Sequence, residues 1–183
     1  ILSCSVALAG CAVAPPSKQV LDRFAVAFPG VDTLSPIMSQ ESFSHSILYL
    51  LQAQLVREYK AQIQNDAAST FEKNSDSTVY TFHLREGLRW ADGTPLTSSD
   101  FAFGLYCLLA PEVGSPRAGS WYVIKNAEAF SKGKTTDWSS VGVTTPDPRT
   151  VQFSLEYPQT DFERTIAVKH LYPVREEFAK QVG

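Results

Sequence analysis

The sequence predicts a mixed α/β fold of the α+β kind, in which antiparallel hairpins pack beside helices. Three observations carry this. Residues 78–84 and 150–155 alternate apolar and polar side chains, as half-buried strands do. Residues 43–55 and 97–109 instead place apolar side chains at helical spacing. Aromatic residues make up 11% of the chain, and many fall in the β-like runs, which favours sheet over a plain helical bundle.

The elements follow in order. Residues 23–28 (RFAVAF) alternate and stop at Pro29-Gly30, a strand followed by a turn. Thr33-Leu34-Ser35-Pro36 reads as a loop. Residues 43–55 read as a helix carrying Ile47, Leu48, Leu51 and Leu55, with Ser42 or Ser44 as the N-cap. Residues 69–73 and 78–84 form a hairpin around Asn74-Ser75-Asp76-Ser77, with Tyr80, Phe82 and Leu84 sharing one face. Asp92-Gly93 is a turn, because glycine accepts a positive φ at no steric cost.

Thr97-Ser98-Ser99-Asp100 is a capping-box variant, opening a helix that Pro111 ends and whose stripe is Phe101, Leu105, Leu108 and Leu109. Residues 118–131 read as a second helical stretch. Strands over 141–145 and 150–155 flank a turn at Pro146-Asp147-Pro148-Arg149, with Val151, Phe153 and Leu155 facing inward. Residues 158–167 read as a short helix opened by Pro158, and residues 176–182 as a helix-like run.

A chain of 183 residues, 44% hydrophobic and 19% charged, can hold one ordinary domain with a real core. The net charge of −3 provides no basic surface for nucleic acid. Residues 1–14 carry no charge, and the run is too short to span a bilayer, which takes about 20 apolar residues. It reads as the tail of a signal peptide, and Leu8-Ala9-Gly10-Cys11 resembles the bacterial lipobox. There the peptidase cuts before the cysteine, whose sulfur takes the lipid. A polar, proline-containing linker follows. Cys4 would leave with the signal, so only Cys107 would remain in the folded part. No internal disulfide can then form, and Cys107 reads as a small buried hydrophobe.

Catalytic patterns are missing from the sequence. Asp92 is explained by its turn and Asp100 by free N–H groups at a helix start. His45, His83 and His170 lie far apart and lack metal-ligand spacing. No nucleophile elbow, phosphate loop or dinucleotide fingerprint is present. The expectation is a non-enzyme with no cofactor and no metal, whose function lies in a cleft.

The run from Tyr80 to Phe101, YTFHLREGLRWADGTPLTSSDF, resembles the signature of the oligopeptide-binding family of ABC-importer solute-binding proteins. That signature reads YTFHLR-x-G-x-x-W-x-DGTP-x-T-x-x-DF. Thr33 to Pro36, Leu55-Val56-Arg57, Ser115-Pro116, residues 141–143 and 150–155, and Leu171-Tyr172-Pro173-Val174 resemble further family pieces in the family's order. The resemblance implies a two-lobed fold of the type II periplasmic-binding-protein kind, of which this chain is the N-terminal part. Residues 1–10 would be a signal remnant, 11–20 the lipidated Cys11 and linker, and 21–183 the start of the binding domain. The small lobe would occupy about 45–172, and the far lobe would be absent.

It further implies an extracytoplasmic lipoprotein, monomeric and lipid-anchored to the cell membrane. It would capture oligopeptides by main-chain pairing and deliver them to ABC permease subunits. A dipeptide, nickel chelate, haem or sugar is the alternative solute. Carried over by position, Gln40, Glu41 and Ser42 would face the ligand, as would Arg117, where many members have a tyrosine. Equally, the first three read as loop residues with Ser42 a cap, and Arg117 as a solvated surface side chain. Ser35, Gln54, Asn65-Asp66, Phe71 and Tyr106-Cys107 also depart from the family pattern and leave the ligand class open.

Overall fold

A computed structural model describes residues 31–177. The lipobox-like segment with Cys11, the linker, the strand expected at 23–28 and the closing run from 178 lie outside the described residues.

The core is a four-stranded antiparallel sheet in the order β3-β4-β6-β5, formed by β3 (Ala68–Lys73), β4 (Val79–Leu84), β5 (Val143–Asp147) and β6 (Thr150–Ser154). Alternation fixes its faces. Tyr80 lies opposite Phe153 and Phe82 opposite Val151, and all four are fully buried. A strand slipped by one residue would turn this whole set to water, so the register is strongly specified. Phe82, Phe153 and Phe162 pack ring to ring, with centroids 5.9 and 5.5 Å apart. Each such ring stabilises the fold by roughly 1.5–3 kcal/mol on leaving water.

Helix α2 (Ser98–Leu109) lies against β5 and β6 and buries Phe101, Leu105, Leu108 and Leu109, the stripe expected from the sequence. The Thr97 N–H donates to the Asp100 carboxylate at 2.7 Å, closing one half of the capping box. Gly93 has φ +87°, as the Asp92-Gly93 turn requires.

Several elements differ from expectation. Helix α1 runs only Ser42–Leu51 and its N-cap is Glu41, neither Ser42 nor Ser44. It stops because Arg57 holds its last turn, donating to the carbonyls of Tyr49 and Gln52. Leu51 is therefore 70% exposed, and Leu55 is buried beyond the helix. Strands β1 (Val56–Tyr59) and β2 (Gln62–Asn65) form a hairpin that the sequence did not announce.

The helical stretch expected over 118–131 is broken into a 3₁₀ turn at Ala118–Trp121 and a short α3 (Ala127–Ser131). Asn126 adopts φ +57° between them, its N–H held by the Glu156 carboxylate at 2.6 Å. Helix α4 (Phe162–Lys169) starts at Asp161 rather than at Pro158 and packs on β1. No helix among the described residues is long and apolar enough to cross a membrane.

Candidate functional site

A groove of about 810 Å³ opens where three segments meet: residues 39–50 leading into and along α1, residues 116–120, and the C-terminal end of α4. Asp32 shapes the first segment. Its carboxylate accepts from the N–H groups of Thr33 and Gln40 at 2.7 and 3.2 Å, and from the hydroxyls of Ser39 and Ser44. These bonds hold its pKa down at about 2, the Ser44 bond contributing most.

Arg117 ties the three segments together. Its guanidinium donates to the carbonyls of Pro36, Lys169 and His170. Ser115 adds a hydroxyl bond to the Ile37 carbonyl at 2.6 Å. Arg117 thus caps α4 as Arg57 caps α1. It is half-buried, which corrects the reading of a solvated surface arginine. Gln40 and Ser42 line the groove beside it, whereas Glu41 is exposed and does not line it.

Two of the histidines meet in a way that their spacing did not signal. His45 and His170, remote in sequence, stack with ring centroids 5.2 Å apart. Tyr172 lies near-parallel to both, and Tyr49 meets His170 edge-on. The Ser39 carbonyl can only accept, so His45 Nε2 carries the proton and donates to it at 3.2 Å. His45 Nδ1, Gln54 Nε2 and the Tyr172 hydroxyl are buried without a protein partner. Such groups are rare in cores. His83 stands apart on β4, near Glu72 and Thr150. Among the described residues, no three of His, Cys, Asp and Glu converge as metal ligands. Cys107 is buried and its thiol is pushed up to about 11 by desolvation, which disfavours the reactive thiolate.

Desolvation lowers both stacked imidazoles, helped at His170 by His45, Arg117 and Arg57, and at His45 by Arg117. His170 falls to about 4. The unfolded chain takes a proton there near pH 6.5, whereas the fold does not until about pH 4. Stability is therefore full above pH 6.5 and declines as pH falls through that window. The expected loss from His170 is on the order of 2 kcal/mol, allowing for its partial exposure. Urea unfolding at pH 7 and pH 4.5 measures it. His170→Asn, which suits the left-handed backbone there, should flatten the pH dependence.

Comparison with known proteins places this groove in context. Residues 62–181 match the family model for bacterial extracellular solute-binding proteins, family 5 Middle. The chain is 37% identical over 145 residues to the probable deoxycholate-binding periplasmic protein YgiS of Escherichia coli, covering 78% of this chain and 27% of that protein. It is 34% identical over 113 residues to the dipeptide-binding protein DppE of Bacillus subtilis, covering 62% and 21%. The chain thus spans about a quarter of the length of the curated relatives it matches. Its fold superposes on the substrate-binding domain of an oligopeptide ABC transporter from Bacillus anthracis with a TM-score of 0.78 and 30% identity, covering 82% of this chain and 29% of that one.

Proposed function

The chain belongs to the bacterial extracellular solute-binding proteins of family 5, and from that premise we propose that it serves in an extracytoplasmic lipoprotein that captures oligopeptides for an ABC importer. The groove carries this reading. Gln40, Ser42 and Arg117, which the family resemblance assigns to the ligand, come together there from distant parts of the chain. Ser46 and Ser120 add hydroxyls, and Leu50 and Val168 add exposed apolar surface. A wall of this kind suits an extended chain with both polar main chain and varied side chains. The relatives are solute-binding proteins rather than enzymes, and the protein acts by holding its solute, as a monomer that docks on permease subunits.

The anchor belongs to the same proposal. Cys11 would carry diacylglycerol, holding the protein on the outer side of the cell membrane with a second acyl chain for stable attachment. Mass spectrometry of the native N-terminus reads this directly. An unmodified Cys11 inside an uncleaved chain would refute it.

Titration calorimetry on the native protein tests the ligand class. Trialanine should bind at roughly micromolar affinity. Glucose, haem and a nickel–histidine chelate should not bind. A second reading has one observation in its favour, because a relative at 37% identity is named for deoxycholate. Deoxycholate therefore joins the panel. A protein that takes it and ignores peptides keeps its family and loses the peptide assignment.

A further inference from the structure

We propose that the groove selects solutes with an anionic end, a carboxylate seated against Lys169 in the positive field of Arg117. The inference rests on the reading of the groove as the solute site. Among the described residues thirteen line the groove, and none of these is Asp or Glu, whereas Lys169 and Arg117 are both cationic. Some other cations in the fold are already paired, Arg57 with Asp66, Arg164 with Glu58, Lys132 with Glu128 and Arg175 with Asp92, and those without an ion pair, such as Lys73, Lys125 and Lys134, do not line the groove. Lys169 is exposed, and among the described residues no carboxylate lies within ion-pair distance of it.

Position strengthens the case. Lys169 ends α4, where the helix dipole would offer a partly negative pole to neutralise its ammonium. Arg117 already occupies that pole, donating to the carbonyls of Lys169 and His170. Lys169 lines the groove without that compensation.

Arg117 is also a shared cationic influence on its surroundings, since its charge depresses His45 and His170 and opposes the rise at Tyr172. Asp32 is close but engaged by four donors, three from its own loop and Ser44 of α1, and it does not line the groove. Glu41 stands beside the wall, exposed to solvent and outside the lining. A carboxylate meets an unpaired cation here, and no lining acid repels it.

Calorimetry on the native protein separates the possibilities with three probes: trialanine, trialanine amide and Ala-Glu-Ala amide. Trialanine should bind about ten-fold more tightly than its amide, the range of one charge-assisted hydrogen bond. Lys169→Gln should abolish that difference. The same substitution at Lys134, which does not line the groove, should leave it intact. If Ala-Glu-Ala amide recovers the affinity lost by trialanine amide, a side-chain carboxylate serves as well as a terminal one. Equal binding of trialanine and its amide overturns the proposal and leaves peptide capture standing. So does a preference that persists in Lys169→Gln. Failure of all three probes to bind removes the peptide assignment itself and this proposal with it.

Discussion

Gly104→Ala is expected to destabilise the fold by about 3 kcal/mol, the upper part of the range for forcing a methyl group into a packed interior. Gly104 lies in α2 where the segment after α4 crosses it. A Cβ built there would sit 2.2 Å from the Tyr172 carbonyl oxygen and 3.3 Å from its carbon. Both are backbone atoms, so no side-chain rotation relieves the contact. The helix and the crossing segment would have to separate, breaking the 2.9 Å bond from the Val174 N–H to the Asp100 carbonyl. That movement would also carry Tyr172 away from the histidine stack. Gly119→Ala is the control, since a Cβ there meets nothing within 4 Å. Urea midpoints of the two variants should differ clearly. Equal midpoints would show that the crossing is loose.

Legibility in the sequence followed the range of the interactions. The β3–β4 hairpin and α2 could be read because alternation, the Asp92-Gly93 turn and the Thr97–Asp100 cap act between near neighbours. The β1–β2 hairpin could not. Its turn places Lys60 and Ala61 at positive φ without the usual Gly or Asn. Arg164 of α4 holds that hairpin from outside, pairing with Glu58 at 2.5 Å and donating to the Ala61 carbonyl at 3.2 Å.

The break in the helical stretch at Asn126 likewise depends on Glu156, thirty residues on. The mid-helix glycine was the local sign of the crossing at Tyr172, since glycine costs about 1 kcal/mol in a helix unless a close approach needs it. Within the site, the family resemblance pointed to the loop at 40–42 and to Arg117. The pairing of His45 with His170 left no spacing signal, because a stack between two distant segments exists only once the chain has folded.

Arg117→Met should cost about 3 kcal/mol and shift two titrations at the same time. The stability loss follows from three main-chain carbonyls, those of Pro36, Lys169 and His170, losing their shared donor. Carbonyls left unpaired in a half-buried setting cost about 1–3 kcal/mol each, less whatever water restores. Arg117→Lys should recover only part of this, because one ammonium cannot reproduce the planar fork that reaches three acceptors. The titrations separate the charge from the clamp. Arg117 lowers both His45 and His170, so its removal should raise both imidazoles toward their ordinary value, whereas Arg117→Lys should keep them low. Proton NMR of the two rings against pH gives both values, and denaturant unfolding gives the stability. If Arg117→Met weakens the fold but leaves both rings unchanged, Arg117 is a clamp alone and does not set the potential of the groove.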